Sequence, residues 1–153
     1  MDFRVLSTVR KEMVGEYLGG NTVKNLVPRA KEIGKASTAG EIGIDGMFEV
    51  KHPDIDYVIV EYKYGSSKLR KTRDGLQMSD SWLRGSKTRY NRIEKFVGGD
   101  PMKTESIRAA LRSGRVEKWL VHTDPFGQTS IGILDEFGKL KSEQVSKLLW
   151  GKK

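Results

Sequence analysis

The sequence predicts an α/β fold, a mixed central β-sheet flanked by helices. Segments with helical period alternate with segments of strand period along the chain. The run DYVIVEYKY at 56–64 is dense in β-branched and aromatic residues, as a strand near the middle of a sheet would be. Two pairs of strand-like runs, 41–64 and 115–134, each close around a turn signal and are separated by a helical stretch. The chain has 153 residues, and with ~100–200 residues per domain it is expected to form one domain, 1–153.

Residues 3–18 place Val5, Val9, Met13 and Tyr17 four apart, with Leu6 and Val14 alongside, the apolar stripe of a helix that Gly19-Gly20-Asn21 ends. Residues 22–33 are expected to form a second short helix, bent at Pro28. A small-residue loop at 34–40 leads into EIGIDGMFEV at 41–50, an alternating strand. His52-Pro53-Asp54 then turns the chain into the strand at 56–64, so the two make a hairpin. Residues 65–75 form a polar, basic connection, and 76–97 read as helix, bent near Gly85-Ser86. Gly98-Gly99-Asp100-Pro101 is a stop, and 104–112 a further helix. The strand at 115–123 turns at Asp124-Pro125-Phe126-Gly127 into its partner at 128–134, and 140–150 is an amphipathic tail helix. The resulting order is α, α, β, β, α, α, β, β, α.

Composition excludes several classes. With no cysteine, there is no disulfide scaffold, Cys-ligated zinc site or thiol nucleophile. No apolar run approaches the ~18–20 residues of a transmembrane helix, and residues 1–17 lack the order of a secretory signal. There is no HExxH, HNH-like, GxSxG or Walker pattern. The net charge of +8 suits a polyanionic partner. It is concentrated: residues 68–95 hold nine Lys/Arg against three acids. Lys68, Arg70, Lys71, Arg73, Arg84, Lys87 and Arg89 are the expected phosphate-contacting residues. A solvated helical face would produce the same pattern.

The strand VIVEYKYG is anomalous because Glu61 and Lys63 interrupt an apolar run, and their spacing of two puts both on one sheet face. A charge inside a sheet is costly unless paired or bound to metal. A buried Glu61–Lys63 ion pair, or an edge strand with one solvated face, would satisfy that constraint. So would a metal site. A turn at 52–54 brings positions summing to about 106 face to face, which sets Asp45 opposite Glu61. Two neighbouring carboxylates and a strand carbonyl suit Mg²⁺ or Mn²⁺, with Zn²⁺ also acceptable, and such an ion can serve cleavage of a phosphodiester. Lys63 alongside would orient water or stabilise developing negative charge.

Asp45 followed by Glu61-x-Lys63 on a hairpin resembles the PD-(D/E)xK nuclease superfamily, whose restriction-endonuclease-like core is a mixed sheet flanked by helices. The resemblance implies metal binding by Asp45 and Glu61 and a catalytic-lysine role for Lys63. It further implies a metal-assisting Glu16 on the first helix, and Gln77, in DGLQMSDSW, as a catalytic glutamine on the helix after the motif. The literal Pro53-Asp54 falls in the turn, so Asp45 takes the aspartate role in preference to Asp54. GIDGMF, DYVIVEYKYGSSKL and DGLQMSDSW together resemble nuclease domains at the C-termini of bacterial polymorphic toxins of the contact-dependent inhibition and Rhs types. That implies a metal-dependent DNase exported as part of a larger bacterial effector, acting in the target-cell cytoplasm and neutralised by a cognate immunity protein. Alternatives are the same fold cleaving tRNA or other RNA, a non-catalytic nucleic-acid-binding module, and a metal-independent RNase using His52 and His122. Trp82, Trp119, Trp150, Tyr62 and Tyr64 are expected to pack rather than bind ligand.

Overall fold

The computed structural model describes residues 23, 26–27, 29–34, 43–141 and 146–148. The expected helix at 3–18, with Glu16 in it, and Trp150 lie outside the described residues. Five strands form one mixed sheet: β1 (Lys31–Ile33), β2 (Gly46–Glu49), β3 (Tyr57–Tyr64), β6 (Val116–Thr123) and β7 (Thr129–Leu134), in that spatial order. A two-stranded ribbon, β4 (Lys71–Thr72) and β5 (Gly75–Leu76), and three helices, α1 (Asp80–Arg84), α2 (Arg92–Phe96) and α3 (Pro101–Arg112), fill the connection between β3 and β6. β3 and β6 run parallel, which requires a crossover of this kind, whereas β2–β3 and β6–β7 are antiparallel hairpins.

The β2–β3 register pairs Gly46 with Val60, Met47 with Ile59, Phe48 with Val58 and Glu49 with Tyr57, as a turn at 52–54 demands. β3 is the central strand, so the edge-strand explanation of Glu61 fails. Alternation along it builds two cores. On one face Ile59 and Met47 pack with Trp82, Leu83, Ile93, Phe96 and Ile107 from the helices. On the other, Val58, Val60 and Phe48 pack with Trp119, Val121 and Ile133, under Val23 and Leu148. Tyr64 is buried and Tyr62 packs at the margin of that second core, so Trp82, Trp119 and both tyrosines are packing residues as expected.

Four element assignments need correction. Residues 31–33 pair with β2 as an edge strand instead of continuing a helix; sheet pairing outweighs the weak local preference of Lys-Glu-Ile. The helix expected over 76–97 is instead β5 followed by two five-residue helices. Ser79 caps α1 by accepting from Trp82 N–H, Asn91 caps α2 by accepting from Glu94 N–H, and Gly85 ends α1 in the left-handed conformation at φ +67°. The third helix starts at Pro101, not 104, because Asp100-Pro101 is a start signal: the Asp100 carboxylate accepts from Met102 and Lys103 N–H, and Pro occupies the first turn. In the expected tail helix, Leu140 forms a β-bridge to Leu134 and residues 147–148 form a turn. Among the described residues no helix is long and apolar enough to cross a membrane.

Candidate active site

Glu61 lies in the middle strand and is 3% exposed. Its two carboxylate oxygens accept hydrogen bonds from one Gln77 amide nitrogen, at 3.0 and 3.1 Å. Gln77 is itself 5% exposed and anchored at both ends. Its backbone N–H donates to the Arg70 carbonyl at 2.8 Å, and its side-chain oxygen accepts from Arg70 N–H at 3.3 Å. That second bond fixes the amide orientation, because a flipped amide would set its oxygen against the carboxylate. Gln77 follows β5 directly and precedes α1, so it lies outside any helix and not on the helix expected after the motif.

Asp45 stands one residue before β2, half-buried, where the register continues to a position opposite Glu61. Its Oδ2 accepts from Tyr62 N–H at 2.9 Å. In a longer β2 the register would offer that N–H to residue 44, so the carboxylate caps the ladder where the strand stops. The N–H and C=O of an extended residue point to the same neighbouring strand, so the Tyr62 carbonyl faces the β2 side of β3, the side on which Asp45 lies. By residue type, the Asp45 and Glu61 carboxylates and a strand carbonyl are the oxygen donors that Mg²⁺ or Mn²⁺ prefers. Among the described residues no group of three or more Asp, Glu, His or Cys is gathered as a metal cage.

Lys63 shares the Glu61 face and is half-buried. Among the described residues its ammonium pairs with no carboxylate, so the Glu61–Lys63 ion pair is not formed. His122 stands opposite Lys63 on β6, with its Nε2 against the Gly65 carbonyl oxygen. His52 sits in the turn before β3, where its Nδ1 accepts from Asp54 N–H. From the start of β3 to the Lys63 position is ~20 Å at strand rise, so the two histidines do not meet and the histidine-pair RNase finds no support. Asp54 is exposed in that same turn, beyond the far end of β3 from Lys63, while Asp45 faces Glu61.

The seven expected phosphate contacts, Lys68, Arg70, Lys71, Arg73, Arg84, Lys87 and Arg89, are all exposed. Arg92, counted with that cluster, is buried: its guanidinium donates to Asp74 at 2.9 Å and to the Trp82 carbonyl at 2.7 Å, and lies 4.6 Å from the Trp82 ring centroid. The pair removes one charge of each sign, so the local excess is unchanged. Asp74 also accepts from Lys87 and Thr88 N–H and from the Thr88 hydroxyl. Burial pushes the Asp74 carboxyl up, but these hydrogen bonds, led by Thr88 and Arg92, outweigh it and hold the group far below the ordinary carboxylate range. Asp74 thus ties the ribbon carrying Lys71 and Arg73 to the loop carrying Lys87 and Arg89.

Two features escaped the sequence. Lys118, 4% exposed in β6, donates to the Met78 carbonyl at 2.7 Å and to Asp80 at 2.9 Å. Burial lowers its ammonium pKa against the opposing pull of Asp80. The available signal was the one that exposed Glu61, a charge inside an apolar strand. The Asp74 network had only an Asp-Gly turn pair to announce it. No protein-family model, curated protein or solved structure matches this chain.

Proposed function

We propose that the chain is a divalent-metal-dependent phosphodiesterase acting on nucleic acid, with DNA as the favoured substrate. The observation that carries this reading is a carboxylate, Glu61, buried in the central strand, oriented by a buried glutamine and facing Asp45 across the hairpin. Asp45, Glu61 and the Tyr62 carbonyl hold the cation, which supplies charge neutralisation at the scissile phosphate and acidifies water. Gln77 fixes the Glu61 carboxylate so that its lone pairs keep one direction. Lys63, on the same face, orients the attacking water and stabilises negative charge building on the phosphate. The exposed cations of the ribbon and the following loop bind the flanking backbone. The resemblance of Asp45, Glu61 and Lys63 to the PD-(D/E)xK pattern supports the same reading. It extends it to a toxin domain delivered by a larger bacterial effector and blocked by an immunity protein.

The test is incubation of the purified chain with supercoiled plasmid and with total tRNA, each with Mg²⁺, Mn²⁺ or Zn²⁺ and with EDTA, beside Glu61→Ala. Metal-dependent plasmid cleavage that is lost in the variant is the expected result. Cleavage of tRNA alone changes the substrate and keeps the site. Salt-sensitive binding without cleavage in any metal refutes the enzyme and leaves a binding module.

A further inference from the structure

The four residues 77–80 carry more constraint than a connection from ribbon to helix requires. Met78 has φ +71°, a left-handed conformation that disfavours a branched or bulky side chain, and it is fully buried. Such a residue persists only where its surroundings hold it there. Two elements do so, both from later in the chain. From β6, the buried Lys118 ammonium donates to the Met78 carbonyl and to the Asp80 carboxylate. From the loop after β7, Gly138 lies against the same turn. A Cβ there would stand 2.8 Å from the Gln77 carbonyl oxygen and 3.1 Å from the Ser79 nitrogen, and Gly138 itself has φ +80°. The adjoining Glu136 carbonyl accepts from Asp80 N–H at 2.8 Å. The residue immediately before the strained turn is Gln77, whose amide holds both oxygens of Glu61.

We propose that Lys118 and Gly138 are the two sides of a clamp that holds the Met78 turn in its left-handed conformation and thereby aims the Gln77 amide at Glu61. Lys118 is a positioning residue: it acts through Met78 and Gln77 and touches neither substrate nor metal. The turn sets where Gln77 leaves the backbone. Rotating Met78 out of the left-handed region would swing Gln77 relative to Asp80, whose own position is fixed by the Ser79 cap and the Glu136 carbonyl. The consequence for cleavage rests on the proposed function; the consequence for Gln77 does not.

The experiment therefore reads both. In ¹H–¹⁵N spectra of the wild type, the Gln77 side-chain amide, assigned by its absence in Gln77→Ala, is expected to be slow to exchange with solvent because it is buried and bonded to a carboxylate. In Lys118→Met, of similar length and without the donor, that signal is expected to move to the position and exchange rate of an exposed glutamine. Plasmid cleavage is expected to fall about 10–100-fold in kcat with KM unchanged, and by no more than about twofold when introduced into Gln77→Ala. A folded Lys118→Met with the protected signal intact overturns the proposal, as do independent, multiplying losses in the double variant. If Lys118→Met does not fold, Gly138→Ala decides: loss of the protected Gln77 signal supports the clamp, and its retention overturns it. A wild type that cleaves nothing, yet whose Gln77 signal depends on Lys118, upholds the clamp while removing the nuclease.

Discussion

Replacing Asp74 by alanine is expected to be among the most destabilising single changes in the described part of the chain. Asp74 accepts four hydrogen bonds, from Lys87 N–H (2.7 Å), Thr88 N–H (2.8 Å), the Thr88 hydroxyl (2.5 Å) and Arg92 (2.9 Å). The Lys87 and Thr88 groups belong to exposed residues and regain water when the carboxylate goes. Arg92 does not: its side chain is 9% exposed, and removing Asp74 strands its charge. Removal of one partner from a buried pair costs about 3–5 kcal/mol, so that term dominates. With a urea m-value of about 2 kcal/mol/M, the midpoint should drop by about 2 M. The pH dependence follows from the direction of the Asp74 shift. Its folded pKa is depressed below the unfolded value of about 3.9. The stabilisation is therefore complete above that pH and drains away as pH falls toward the folded pKa. Asp74→Asn keeps the volume but cannot titrate, so the gap between wild type and Asp74→Asn should be constant near neutrality and narrow in acid. Urea titrations from pH 7 to pH 3 measure both. A loss under about 1 kcal/mol at pH 7 with an unchanged m-value, or a gap that widens in acid, would refute the reasoning.

Asp45→Ala should abolish metal-dependent cleavage as Glu61→Ala does, with unchanged circular dichroism, and Asp54→Ala should retain near wild-type rates; the reverse order in a plasmid assay would transfer the metal-binding role to Asp54. Gln77→Ala should lower kcat about 10–100-fold without abolishing it, measured under saturating substrate. Alanines at Lys71, Arg73, Lys87 and Arg89 should weaken binding to unrelated sequences equally and reduce the slope of log K against log salt by about 0.9 for each phosphate no longer neutralised. Fluorescence anisotropy across a salt series would expose a sequence-dependent loss, which would contradict simple backbone contact. Arg115→Ala breaks the two-pronged contact with Asp56 at 2.9 Å, but the partners are 37% and 41% exposed. It should therefore cost at most about 1 kcal/mol in urea unfolding.

The parts of the fold legible in the sequence are those that local pattern decides. A strand with apolar flanks must alternate, and a turn with Pro at its centre fixes the register, so the pairing of Gly46 with Val60 and the placement of Asp45 against Glu61 could be read from numbering alone. The helices between Leu76 and Val97 were illegible for the converse reason. Their apolar residues have a helical rhythm, yet Ser79, Gly85 and Asn91 each prefer to cap, and three short-range preferences together outweigh one long one. β1 depends on a partner 18 residues further on, from Lys31 to Glu49, and nothing in Lys-Glu-Ile signals that partner.

The same division runs through the site. Glu61 announces itself because an ionised side chain in an apolar strand conflicts with its surroundings, and a conflict is visible without coordinates. Gln77 does not conflict with anything in DGLQMSDSW; only the resemblance to the PD-(D/E)xK pattern singled it out, and it set it on a helix. Its burial against Glu61 follows from a backbone conformation at Met78 that no residue type demands, held by a lysine 40 positions away. Lys118 could have been flagged by the rule that flagged Glu61, since it too breaks an apolar strand. The two charges differ in what their partners leave them to do. The Lys118 ammonium is spent on a carbonyl and a carboxylate within the fold. Glu61 accepts from a buried neutral amide, and its place in the register faces a second carboxylate, Asp45, across the hairpin. A divalent cation held by both carboxylates would bind the folded chain and not the unfolded one. By that argument Mg²⁺ or Mn²⁺ should raise the melting temperature of the wild type by more than that of Glu61→Ala or Asp45→Ala, whether or not substrate is present.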